Sequence, residues 1–169
     1  TRLQGDWSSD VCSSDLACTI LPTLRDGTPL CSLPKWRRNP HAWVKLWKHH
    51  SAQPEADRIN EIGMERGEAF ISAYGGRYSS EWFFSKTLET VNDAPAVYDA
   101  AERFIEAGDW IVWQMTGAER RCLSAAGFKG MWVYPDGAGG FAYPSPDFFA
   151  ALNPRMRNIA IEKMSGALL

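Results

Sequence analysis

The side chains best suited to chemistry in this sequence are aromatic. Eight tryptophans stand beside eight phenylalanines and five tyrosines. An aromatic face can stack on the apolar C–H face of a sugar, but the same rings can also fill a core, where each buries roughly 150–250 Å². Trp47 and Trp82 are candidate walls of a sugar pocket, although large aromatics are more often core than ligand. Lys129 carries three donors on a long stem and could hold a hydroxyl or polarise a carbonyl. Taken by pattern alone, it reads as a solvated surface charge. His41, His49 and His50 have no cysteine or carboxylate at a matching helical spacing, so no metal site is expected. The run Asp136-Gly-Ala-Gly-Gly140 is rich in glycine, but no strand clearly leads into it, no helix starts directly after it, and it lacks the GK[ST] ending of a phosphate loop. Asp57, Glu61 and Glu65 read as a solvated helix face.

These groups sit in a chain of 169 residues, 45% apolar and 22% charged, with a formal net charge of −2 and a pI near 5.9. That composition suits one globular domain with a real core. It offers no basic footprint for nucleic acid. No apolar run approaches the ~18–20 residues needed to cross a bilayer. The opening TRLQGDWSSDVCSSDL lacks the basic start and apolar centre of a signal peptide. Cys12, Cys18, Cys31 and Cys122 form no CxxC and read as free thiols in a reducing cytoplasm.

Residues 1–16 contain the near-repeat SSDV, SSDL and look like translated sequencing-adapter DNA, so they are expected to be a disordered, non-native leader. With a Thr start and an SGALL end, the remainder, 17–169, reads as an internal fragment of a larger protein. Arg25-Asp26-Gly27 between two apolar runs predicts a β-hairpin over Ala17 to Cys31. Trp43, Leu46 and Trp47 share a helical spacing. Ser51 is the expected N-cap of a helix ending at Gly67. Ser79-Ser80 would cap a helix carrying Phe84, Leu88 and Val91 inward. Pro95 opens another, with Val97, Ala101 and Phe104 on one face. The run WIVWQMTG is too uniformly apolar to assign, and Ile111 and Trp113 are expected to be buried. A Gly-rich loop over 133–144 and a short helix from Ser145 to Leu152 complete an α/β class in which helix predominates.

The segments NPHAWVKLWKHHSAQPEADRINE, YGGRYSSEW, FIEAGDWIVWQMTG, SAAGFKGMW and YPSPDFFAALNPRM together resemble the ribulokinase family of FGGY carbohydrate kinases, in register from Ala17 to the end. The resemblance implies part of the N-terminal domain of an actin-like, ribonuclease-H-like ATPase. It implies transfer of the ATP γ-phosphate to the terminal hydroxyl of L-ribulose, or a related ketopentose, in arabinose catabolism. Within it, Ala17 of Ala17-Cys18-Thr19 would offer a backbone contact to the sugar, and Lys129 of Ala126-Gly127-Phe128-Lys129 would reach a ketopentose oxygen. ATP and Mg²⁺ would serve the full-length enzyme, which could also be a homo-oligomer.

Phosphoryl transfer needs a carboxylate to orient the attacking hydroxyl, a cradle for the phosphates, and Mg²⁺. The family's G-x-D-x-G-T phosphate turn does not occur in this sequence, and the segment that carries its catalytic aspartate would lie beyond it. No catalytic, cofactor-binding or metal-binding residue is therefore expected here. By itself, the chain should be inactive. The competing reading is a non-catalytic helical interaction domain or a sugar-binding domain. Free-standing sugar-binding modules are usually β-sandwiches, and this chain is helical.

Overall fold

The computed structural model describes residues 16–133 and 142–164. Residues 1–15 of the leader expected over 1–16, including Cys12, and the centre of the Gly-rich loop lie outside the described residues. The described part is α/β and helix-rich, with one two-stranded sheet.

Strand β1, Ile20–Thr23, is buried throughout. The Asp26-Gly27 turn forms after it: Leu24 N–H donates to the Thr28 carbonyl at 2.9 Å, and Thr23 bridges Pro29. The strand's long partner is not the returning arm of this turn. It is β2, Arg103–Glu106, which runs antiparallel with Ile20 opposite Glu106 and Thr23 opposite Arg103. Phe104, expected on a helix with Val97 and Ala101, is therefore a strand residue, although all three are buried. An apolar run without turn chemistry can serve either element, and pairing with β1 decides it.

Between β1 and the first long helix the chain is irregular, with 3₁₀ turns at Leu30–Ser32 and Pro40–Ala42. This corrects the expected helical face: Trp43, Leu46 and Trp47 are exposed, and Lys45 bridges Ile20 across the edge of β1. Helix α1, Gln53–Arg66, starts one residue later than expected, at an Ala52 cap; Pro54 fits its first turn, where no backbone donor is needed. Gly67, at φ +66°, ends it in the left-handed conformation that glycine adopts freely.

A short helix α2, Ala69–Ala73, leads through the Tyr74–Tyr78 turn to α3, Phe83–Asp93. Ser79 and Ser80 do not cap α3, whose N-cap is Trp82. Phe84, Leu88 and Val91 are buried as expected. So are Ser85, Lys86, Thr87 and Thr90, because α3 is enclosed on nearly every side. Its hydroxyls are satisfied by backbone carbonyls, Thr87 to Phe83 and Thr90 to Lys86. Helix α4, Pro95–Ala100, precedes β2.

The ambiguous apolar run is helical: α5 spans Ala107–Thr116. Trp113 is buried, but Ile111 is about a third exposed, contrary to expectation. A helix directs these two side chains apart, and the sheet covers one of them. Helix α6, Leu123–Lys129, follows. Helix α7, Pro146–Leu152, is capped by Ser145, whose Oγ accepts from Phe148 N–H at 3.2 Å. Helix α8 covers Ile159–Glu162. The main core joins Phe70, Tyr78, Phe84, Leu88, Tyr98, Phe104, Phe148 and Phe149, so most of the aromatic content is packing. No helix of the described residues is long and apolar enough to cross a membrane.

Candidate functional site

Two backbone features converge beside the sheet. The first is the turn before β1. Cys18 is buried and sits at φ +57°, a conformation that is costly for a residue with a Cβ and that persists only where its surroundings hold it. Lys86 of α3 supplies that hold: its Nζ donates to the Cys18 carbonyl at 2.6 Å and to the Leu46 carbonyl at 2.7 Å. The lysine is fully buried, and burial pulls its pKa down to about 8 against the pull of Cys18, Glu106 and Glu81. Ala107 N–H, donating to the Thr19 carbonyl at 2.7 Å, closes the other side of the turn.

The second feature is the C-terminal end of α6, which carries Lys129. A helix end leaves carbonyls without intrahelical partners, and here two tyrosines from the Tyr74–Tyr78 turn take them. Tyr74 OH donates to the Gly127 carbonyl at 2.6 Å and accepts from Met131 N–H at 2.9 Å. Tyr78 OH donates to the Lys129 carbonyl at 2.5 Å and accepts from Phe84 N–H at 3.1 Å. Met131, at φ +60°, is the other described non-glycine residue with positive φ. Tyr78 is anchored in turn by Asn60 of α1, which bonds both its N–H and its carbonyl. Burial raises the pKa of both phenols, so they stay protonated and able to donate.

The expected sugar contacts are thus placed together. Ala17 lines a cleft of about 220 Å³ with Glu106, Asp109 and Cys122. Lys129 is half-buried and lies near enough to Cys18, the residue after Ala17, for its charge to act on the thiol. Burial raises the Cys18 thiol, and Lys129 partly offsets it. Trp82 packs edge-on against Tyr74 and Tyr78, with ring centroids 5.0 and 5.1 Å away, and so supports the clamp on α6. Trp47 is tied to Glu81, its Nε1 donating to Oε2 at 2.7 Å.

Sequence reasoning missed Glu106 and Asp109. Glu106 is 8% exposed, and burial raises its pKa to about 7, while Lys129 opposes the rise and Asp109 adds to it. Asp109 accepts from Cys122 N–H at 3.0 Å at the start of α6, and burial raises it too. The sequence signal was FIEAGD, two acids at i and i+3 inside an apolar run. A cleft lined by a backbone turn and two carboxylates, with an ammonium beside it, is suited to binding a polyhydroxylated molecule. Among the described residues no group of three His, Cys, Asp or Glu side chains is placed to hold a metal ion.

No protein-family model matches the chain. Comparison with curated proteins finds ribulokinases. Over 153 residues, 90% of this chain, it is 46% identical to the ribulokinase of Geobacillus thermodenitrificans and 48% identical to that of Shouchella clausii, covering 26% of each. Over 151 residues it is 34% identical to that of Staphylococcus aureus, covering 27%. The chain spans about a quarter of the length of these relatives, and over nearly all of its own length it is similar to ribulokinase, as its motifs imply.

Proposed function

We propose that this chain is the pentulose-binding part of a ribulokinase, an FGGY kinase of actin-like fold that phosphorylates L-ribulose with ATP and Mg²⁺ in the cytoplasm. The observation that carries the reading is the convergence of the Ala17–Cys18 turn with Lys129, residues far apart in sequence, beside a cleft that Glu106 and Asp109 line. Lys129 would donate to a sugar oxygen, and the Ala17 backbone would fix the sugar's position. The Tyr74–Tyr78 clamp would hold the lysine in place, since binding geometry depends on supporting contacts as much as on the contact itself. ATP and Mg²⁺ would be bound by parts of a ribulokinase that this chain does not supply.

Titration of the ¹⁵N-labelled chain with L-ribulose tests this reading. Chemical-shift changes should cluster on residues 16–19 and 123–131. A hydrogen bond from a charged group contributes about 1.5–3 kcal/mol, so Lys129→Ala should weaken binding about 10- to 150-fold. Lys129→Arg should rescue poorly, because the planar guanidinium is bulkier than the ammonium. No shift change in the wild-type chain, or full affinity in the alanine variant, would remove the assignment.

A second expectation concerns catalysis. The sequence contains no G-x-D-x-G-T phosphate turn, and losing transition-state contacts of that kind costs orders of magnitude in rate. ADP release by the chain with L-ribulose and ATP should therefore equal the no-enzyme background. A rate above background would show that the phosphate cradle lies within these residues.

A further inference from the structure

We propose that Glu106 belongs to the pentulose site, its carboxylate accepting a hydrogen bond from a sugar hydroxyl while helping to align the Lys129 ammonium. The inference rests on the function proposed above and adds a residue to it. Glu106 ends β2, opposite Ile20, so the strand pairing fixes its backbone beside the Ala17–Cys18 turn. Its side chain lines the Ala17 cleft and also a smaller cavity of about 20 Å³ behind it, with Asp109 and Cys122 common to both. The Cys18 backbone lies near its carboxylate and favours the ionised form, and two carboxylate oxygens leave acceptor capacity for a ligand.

A carboxylate at 8% exposure is costly unless its charge is used. The groups facing it are Lys129 from α6, Lys86 from α3, Asp109 from α5 and the Cys18 turn. The rear cavity supplies a second, independent sign of a polar site. Arg121, 4% exposed, and Tyr143 both line it, and neither Arg121 Nε nor Tyr143 OH has a partner among the described residues. Other Arg121 donors are engaged, Nη1 with the Phe104 carbonyl at 2.8 Å and Nη2 with Glu119 at 3.3 Å. Buried polar atoms left unpaired concentrate where a ligand or ordered water completes the set. A residue retained for a ligand at the expense of the fold should also stabilise the chain when neutralised, the usual conflict between activity and stability.

The test compares the wild-type chain, Glu106→Gln and Lys129→Ala in L-ribulose titrations at pH 6 and pH 8, with thermal melts alongside. Glutamine keeps the size of the buried side chain and one acceptor oxygen, so the fold should persist. Wild type should bind about 10-fold more tightly at pH 8, where the carboxylate is ionised, than at pH 6. Glu106→Gln should lose that pH dependence, bind about 10-fold more weakly at pH 8, and melt at a higher temperature there. Wild-type binding with an unchanged affinity and pH profile in Glu106→Gln would overturn the role of Glu106 and leave the pentulose reading standing. A Glu106→Gln variant that binds weakly and also melts lower would make Glu106 a structural residue, again overturning the proposal. No binding by wild type, with Lys129→Ala indistinguishable from it, would overturn the pentulose reading and the inference together.

Discussion

Lys86→Ala should destabilise the chain by about 3–5 kcal/mol, measured by urea unfolding followed by tryptophan fluorescence. Removing the ammonium leaves the Cys18 and Leu46 carbonyls without their donor, at about 1–3 kcal/mol each where they are buried. The lost stem adds a cavity beneath the turn. Lys86→Met should lose less, because it fills the stem's volume and removes the cost of burying a cation. The pH dependence separates these contributions. A lysine whose folded pKa is depressed binds fewer protons folded than unfolded, so its contribution rises with pH. With the folded value near 8, the wild type should gain stability on Lys86→Met between pH 8 and about 10. Parallel curves for the two proteins over that window would mean that Lys86 holds its proton as firmly when buried as it does in the unfolded chain.

Glu89→Ala should be comparably damaging, at about 3–5 kcal/mol, because it strands a buried cation. Glu89 accepts from Lys45, each side chain being 6% exposed, and from Ser51 Oγ at 2.5 Å; His49 Nε2 lies 2.7 Å from the same carboxylate. These bonds pin residues 45–51 against α3. Burial works against ionisation of Glu89, but the hydrogen bonds from Lys45, Ser51 and His49 outweigh it and bring its pKa to about 2. A depressed carboxylate stabilises the fold above its unfolded pKa, near 4.5, and the contribution disappears as pH falls toward 2. His41, depressed by burial and by Lys45, also loses stability as pH falls below about 6.5. Glu106 has the opposite sign: its raised pKa adds stability as pH falls from about 7 to 4.5. Urea midpoints should therefore change little between pH 7 and 5 and fall steeply below 4.5, and Glu89→Ala should lack the steep part. A wild-type midpoint that holds steady down to pH 3 would contradict this network. Because Leu46 accepts from Lys86 and Lys45 donates to Glu89, the Lys86→Ala and Glu89→Ala losses should not add in the double variant.

Much was legible in local chemistry. Gly67 and Ser145 act where side-chain and backbone preferences decide the matter within a few residues, so a helix stop and a helix cap could be read directly. The periodicity of Phe84, Leu88 and Val91 correctly indicated the buried face of α3. The motifs around Ala17 and Lys129 were legible for a different reason: they are similar to ribulokinase sequences.

Wherever a distant partner settles the outcome, sequence pattern fell short. Residues 43–47 have helical spacing, but Lys45 is drawn into an edge bridge with Ile20 and an ion pair with Glu89, and those contacts outweigh helix formation. Ser51 has the chemistry of a cap but is used by Glu89. Phe104 carries the same apolar side chain in helix or strand, and only β1 makes it a strand residue. Nothing adjacent in sequence announces the burial of Lys86, Glu106 and Arg121.

By itself, the sequence determined composition, the helix stop at Gly67, the short helix after Ser145, the apolar face of α3 and the likeness to a sugar kinase. Only the tertiary structure decided that the Cys18 turn, Glu106 and Lys129 lie near one another, with Lys86 behind the turn and two tyrosine hydroxyls behind the lysine. The physical reason is range. Caps and periodicity act over a turn of helix, whereas the desolvation that forces buried charges and hydroxyls to find partners acts between any elements the core brings together.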